Sequence, residues 1–218
     1  MHYRRTSLLR LSFVALLLLF IQLSLSISPV LSQDITIGRQ TWTNKNLDVS
    51  TFRNGELIPQ AKSKEEWLKA GDNKTAVFCY YEYDSKNGKV YGKLYNWYAV
   101  NDSRGLAPKG YHIPSDAEWT ILTDFLGGSK ISGKKMKSKD GWSDDGNGDN
   151  SSGFNGLPGG SCNYFGYFDG MADYGNWWSS SENDAGGAWE RYLSNGDTRV
   201  YRSLGFKDYG FSVCCLRD

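Results

Sequence analysis

The chain has 218 residues, with 25 basic and 24 acidic side chains, a net charge of +1 and 15% aromatic residues. So even a balance gives no sign of an electrostatic grip on nucleic acid, which needs a basic face. The only histidines are His2 and His112, which excludes a multi-histidine metal centre.

Residues 1–32 read as a secretory signal peptide. Arg4, Arg5 and Arg10 give a basic start, the run 11–25 is apolar, and Ser28, Pro29 and Ser32 supply a break and small residues before cleavage after Ser32. The apolar run is short for a membrane span of about 20 residues, so no membrane association is expected after cleavage. No cysteine follows it, which argues against a lipoprotein anchor. Cleavage leaves 22 basic against 24 acidic residues, net −2, with His112 as the sole histidine. Residues 33–218 then suit a single exported domain in the periplasm, at the cell surface or outside the cell. All eight tryptophans lie there. Aromatic rings bury large areas each, so few regular elements are needed to close a core.

In chain order, Ile35, Ile37 and Trp42 flank a Gly38-Arg39 turn and predict two short strands. Ser63 and Glu66 have the spacing of a capping box, opening a short helix that stops at Gly71. Residues 76–83 read as an aromatic strand carrying Cys79. Residues 94–100 place Leu94, Trp97 and Tyr98 on one helical face. Ser115 and Glu118 form a second capping box, followed by Trp119, Ile121, Leu122, Phe125 and Leu126, and Gly127-Gly128 end that helix. Residues 141–160 read as loop. Four short strands follow, near 177–180, 188–193, 198–201 and 210–217, with Asn195-Gly196 as a hairpin signal. The expected class is α+β, with short helices in the first half and a small twisted antiparallel sheet carrying long loops.

Two segments carry candidate chemistry. Asp145, Asn147 and Asp149 alternate as oxygen ligands do in calcium loops, but the glycine and the distal acid of an EF-hand are missing. The segment reads first as a solvated, turn-rich loop, with calcium as the one cation it would suit. Trp177, Trp178, Glu182, Asn183, Asp184 and Trp189 combine rings with carboxylates and amides, the groups that stack on and hydrogen-bond to a sugar. Strand alternation sends Trp177 and Trp178 to opposite faces, so one of them is expected in the core. Glu182 with Asp184, or Glu190, could supply acid catalysis, a pattern any acidic chain offers. Export makes disulfides of Cys79, Cys162, Cys214 and Cys215 plausible. Cys214 and Cys215 are neighbours and need different partners, so 79–215 with 162–214 and 79–214 with 162–215 both stand, as do buried free thiols.

Five segments together resemble a known family: 91–100 (Tyr-Gly-Lys-Leu-Tyr-Asn-Trp-Tyr-Ala-Val), 110–119 (Gly-Tyr-His-Ile-Pro-Ser-Asp-Ala-Glu-Trp), 153–160, 177–182 and 209–218. They are similar, in order, to the Fibrobacter succinogenes major paralogous domain, over about residues 35–218. The resemblance implies a C-type-lectin-like fold, with a more distant likeness to the formylglycine-generating and sulfatase-modifying group, and it implies that 35–37 lies near 210–217. The family often has Cys-Pro where this chain has Ala107-Pro108, and arginine where it has Cys162 and Cys214. On that comparison 162 pairs with 214 and Cys79 with Cys215. The oxidase relatives use a copper-binding cysteine pair that has no matching position here.

The leading expectation is an exported, non-catalytic binding module for polysaccharide or a surface protein, using Trp177, Trp178, Glu182, Asn183, Asp184 and Trp189. The alternatives are an enzyme, either a cysteine- or metal-dependent oxidase or a hydrolase, and a structural surface protein. The oligomeric state is not legible in the sequence.

Overall fold

A computed structural model describes residues 34–218; the signal-peptide reading of residues 1–32 lies outside them. The C-terminal segment organises everything else. Strand β1 (Asp34–Ile37) turns at Gly38 into β2 (Gln40–Thr43), as the alternation predicts. Trp42 of β2 then pairs with Leu216 of β11 (Leu216–Arg217), which pairs in turn with β5 (Tyr111–His112). The two ends of the described chain therefore share one sheet, of order β1-β2-β11-β5.

Residues 210–217 are not one strand. Gly210 bridges Cys162, Phe211 bridges Tyr95 and Ser212 bridges Trp177 before Leu216 joins β2. This segment thus stitches a second sheet, of order β10-β9-β8-β6-β7, and a third, β3-β4, to the first. The second is formed by β6 (Gly159–Cys162), β7 (Phe168–Met171), β8 (Tyr174–Glu182), β9 (Gly187–Ser194) and β10 (Tyr201–Phe206). The third pairs β3 (Phe78–Cys79) with β4 (Leu94–Tyr95). Helices and sheets coexist, so the α+β class holds.

Helix α1 (Lys64–Asp72) starts where Ser63 accepts from the Glu66 N–H. Its box is shifted, because the Glu66 carboxylate takes the N–H of Lys62 rather than that of Ser63. Strand β3 is shorter than the predicted 76–83, since Glu82 and Tyr83 adopt positive φ (54° and 56°) in a single 3-10 turn. Helix α2 (Ser85–Tyr91), capped by Asp84, has no strong periodic signal and was not predicted. The predicted helix 94–100 is split. Leu94 and Tyr95 belong to β4, and Asn96 caps a one-turn α3 (Trp97–Val100) by accepting from the Ala99 N–H at 3.0 Å.

Helix α4 (Asp116–Phe125) is the closest match to expectation. Ser115 and Glu118 complete both bonds of the box, and Gly127 and Gly128 at φ 105° and 95° take the turn after it. Gly127 and Gly128 lead into a further short helix, α5 (Ser132–Met136). Strands β6 and β7 are not among the expected strands, and β6 begins inside the expected loop 141–160. Strand β10 runs beyond the predicted 198–201, and the link after Asn195-Gly196 is longer than a two-residue turn.

Three cores result. Trp42, Trp119, Phe154 and Trp177 form an aromatic cluster with ring centroids 4.9–6.5 Å apart. Trp178 packs on Phe211 at 4.5 Å in a second core, with Tyr95 and Trp97. Trp67 and Leu94 line the third. The cysteines divide among these cores and correct both expected pairings. Cys214 enters the first core and Cys215 the second, because neighbours on an extended chain face opposite sides. Cys79 and Cys162 share the third, so neither meets Cys214 or Cys215, and all four are buried, with no bond between sulfurs in the structure.

His112 ties the fold's ends together. Its ring contacts Asp218 at 2.8 Å and the box residue Glu118 at 2.9 Å. Partial burial pulls the imidazole pKa down, but the two carboxylates outweigh it and hold it above the usual histidine value. The stabilisation is therefore complete below about pH 6.5 and is lost as pH rises through the elevated folded value. With the ring 40% exposed, solvent screening limits the effect. His112→Ala is expected to cost about 0.5–1 kcal/mol at pH 6 and less at pH 9, read by urea denaturation at both pH values. An equal cost at both would refute the ion-pair account.

Candidate functional site

The site lies on one face of the second sheet. Alternation along β8 puts Tyr174, Asn176 and Trp178 on one side, opposite Ser194, Tyr192 and Glu190 of β9. Strand β10 continues that face with Tyr201 beside Tyr192 and Ser203 beside Glu190. The Tyr192 and Tyr201 rings stack in parallel, 4.4 Å apart at 2°, and Tyr174 meets Tyr192 edge-on at 6.2 Å. Tyr201 is held by donating to Asp197 at 2.5 Å.

The wall comes from β6 and β7. Ser161 pairs with Asp169, and Gly160 pairs in parallel with Gly175 of β8. Gly170 takes φ 73°, and a Cβ there would stand 2.8 Å from the Tyr174 ring. Glycine at 170 is what lets the Tyr174 ring lie so close to β7. Together Ser161, Asp169, Tyr174, Asn176, Glu190 and Tyr192 line a cleft of about 220 Å³.

Glu190 is the unusual member. It is 6% exposed, and its Oε2 is buried with no hydrogen-bond partner among the described residues. Burial pushes its pKa up to about 8, only partly countered by the adjacent Arg191 charge. Arg191 does not neutralise it, because alternation sends that guanidinium to the other face. There it binds Asp116 at the start of α4 at 2.7 Å, and Arg202 binds the same carboxylate at 2.9 Å. At neutral pH Glu190 is thus mostly a neutral acid, able to donate and accept inside the cleft. Its charged form is felt on both sides. The Tyr192 phenol is raised by burial and then by Glu190, and that of Tyr209 by burial, Tyr164 and Asp208, with Glu190 adding to these. Tyr209 stacks on the exposed Tyr164 at 5.8 Å, so a second aromatic group lies beyond Glu190.

The residues expected from sequence fall elsewhere. Trp177 and Trp178 do point to opposite faces, but both are core residues, 1% and 0% exposed. Their ring N–H groups bind Asn46 and the Tyr95 carbonyl, each at 2.8 Å. The reason is that this sheet is covered on both sides at these positions, so neither ring offers a face to a ligand. Glu182 pairs with the buried Lys207. Asp184 accepts from the N–H groups of Gly186 and Gly187 at 2.8 and 2.9 Å, and these hold its pKa down. Asn183 donates to Asp184 at 2.7 Å. These three therefore gather at the β8–β9 hairpin tip as turn-forming groups. Trp189 lies on the face away from Glu190, under the Arg202 guanidinium at 3.2 Å.

The calcium candidates act in the structure as turn-forming groups. The Asn147 Oδ1 accepts from Trp142 N–H at 3.0 Å and the Asp149 Oδ1 from Ser151 N–H at 2.9 Å, as turn caps, and Asp145 is exposed at φ 58°. Among the described residues no three His, Cys, Asp or Glu side chains gather at metal-binding range. Of the cleft residues, only Glu190 stood out in the sequence. The i, i+2 pairs Tyr174/Asn176 and Glu190/Tyr192 were the available signal, masked by the more conspicuous tryptophans.

A family model described as the Fibrobacter succinogenes major domain matches residues 35–217. Among curated proteins and among solved structures, none matches the chain.

Proposed function

This chain belongs to the Fibrobacter succinogenes major domain family, and we propose that it is an exported, non-catalytic module that binds carbohydrate, residues 1–32 serving as signal peptide and 33–218 as one domain of C-type-lectin-like fold. The observation that carries the reading is the Glu190 cleft: an unpartnered, buried carboxyl in a cleft also lined by Tyr174, Tyr192, Ser161, Asn176 and Asp169. Tyrosine rings supply the apolar stacking surface a pyranose needs, and the polar groups match its hydroxyls. The volume is below the roughly 300 Å³ at which drug-sized pockets begin. It suits one ring of a longer polymer, whose neighbouring units would run over Tyr201 on one side and toward Tyr209 and Tyr164 on the other.

A glycan array followed by calorimetry on soluble polysaccharides tests this. Tyr192→Ala is expected to weaken binding by about tenfold or more, the loss of one stacked ring. Glu190→Gln keeps a donor and an acceptor and stays within about threefold, whereas Glu190→Ala leaves the ligand's hydroxyls unpaired and loses about tenfold. Absence of binding to every polysaccharide would sink the reading and favour a structural surface role.

One observation favours a second reading. Glu190 and Asp169 line the same cleft, and a carboxylic acid kept neutral beside a second carboxyl is the equipment of a glycoside hydrolase. Release of reducing sugar that Glu190→Gln abolishes, with binding retained, would establish it over the non-catalytic one.

A further inference from the structure

The third core contains a feature the cleft does not use. Cys79 and Cys162 are both 0% exposed and lie in one small cluster with Trp67, Val77 and Leu94. Each is held by backbone on a different sheet. Cys79 in β3 pairs with Leu94. Cys162, at the end of β6, is bonded in both directions to Gly210, at 3.0 and 2.7 Å. Among the described residues neither thiol has a strong partner of its own: the Cys162 Sγ makes only a 3.6 Å contact to the Asn163 carbonyl. Burial, and after it the neighbouring Cys162 sulfur, holds the Cys79 thiol protonated, and the Tyr83 phenol is raised by burial and by both sulfurs. The two thiols therefore share one small, sealed cluster. Cys214 and Cys215 lie in two other cores.

We propose that Cys79 and Cys162 are a disulfide-forming pair, closed while the chain folds and joining β3 to the end of β6, with Cys214 and Cys215 remaining thiols. Two S–H bonds break and one S–S bond forms. The two protons and two electrons pass to a small disulfide such as oxidised glutathione, which leaves as two thiols. Exchange needs an attacking thiolate with access to the oxidant, and both sulfurs are sealed in the folded chain, so the bond forms before the core closes. The link closes a loop of roughly 80 residues, a length at which cross-linking restricts the unfolded chain strongly. It also anchors the cleft wall, because Ser161 is the neighbour of Cys162. The pair stands whatever the cleft binds.

The test refolds reduced full-length protein with oxidised and reduced glutathione, then maps a non-reducing digest by mass spectrometry. A single linked peptide pair containing 79 and 162 is expected, with two titratable thiols after denaturation. The melting temperature should rise by roughly 5–12 °C over the reduced protein. Replacing both Cys214 and Cys215 by Ala should keep the link, and Cys162→Ala should abolish it. Four free thiols after oxidative refolding, or a link through Cys214 or Cys215, would overturn the proposal. The wild-type map decides the matter even where a variant fails to fold.

Discussion

Glu190→Gln is expected to raise the melting temperature at pH 8 by roughly 5–12 °C while changing it little at pH 5, an effect of about 2–4 kcal/mol. The carboxyl titrates at about 8 in the folded chain against an ordinary value of 4.5. The folded state therefore holds a proton that the unfolded state releases. Stability from this group is complete below the unfolded value and falls as pH rises through the window from about 4.5 to 8. Glutamine has the same shape and no charge to bury, so the variant's curve lacks this fall. His112 lowers stability over part of the same range, and it does so equally in both proteins, so the difference between the two curves isolates Glu190. Urea denaturation from pH 5 to pH 9 gives the measurement. Parallel curves for the two proteins would mean that the Glu190 carboxylate is solvated, and the neutral-donor account of the cleft would fall with it.

Trp178→Ala and Trp177→Ala should each cost about 3–5 kcal/mol, enough to leave either protein marginally folded. Each ring fills a separate core, Trp178 against Phe211 and Trp177 against Phe154 at 5.7 Å, and each ring N–H has an acceptor, fully buried for Trp178 and partly buried for Trp177, that truncation would strand. The contrast with Tyr192 is diagnostic. Tyr192 is half-buried at the cleft, so its loss should register mainly in ligand affinity, and loss of either tryptophan mainly in denaturant midpoint. A Trp178→Ala protein with a wild-type midpoint and weakened polysaccharide binding would return that ring to the binding surface.

These expectations reverse the order in which the residues attract attention. Trp177-Trp178-Ser-Ser-Ser-Glu182 is the most conspicuous run of the second half, and it looks like a binding surface because tryptophan and acid stand together. Strand alternation parts the two rings, as the register of β8 shows. What alternation does not report is whether the second face of a sheet meets solvent or another layer. Here both faces are covered, Phe211 packing on Trp178 at 4.5 Å on one and Trp119 of helix α4 lying 6.5 Å from Trp177 on the other.

Local chemistry was legible wherever it was self-contained. The β1–β2 turn at Gly38, the Ser115–Glu118 box, the Gly127-Gly128 stop and the α+β class follow from side chains within a few residues of one another. Family membership was legible too, because it rests on ordered motifs. Long-range facts were not. The cysteine neighbourhoods depend on which core each face of the 210–216 segment enters, and the motif comparison that joined 162 to 214 carried no such information. The Glu190 cleft depends on Arg191 being drawn away to Asp116, some seventy-five residues earlier in the chain. Sequence alternation places Glu190 and Arg191 on opposite faces but does not say what each one meets there. The sheet separates them to opposite faces, gives the cation to another acid, and leaves the carboxyl buried and unpaired. The sequence by itself determined the caps, turns and family, since these need only neighbouring atoms; the tertiary structure alone decided which charges found partners, because that is set by which layers close over each strand.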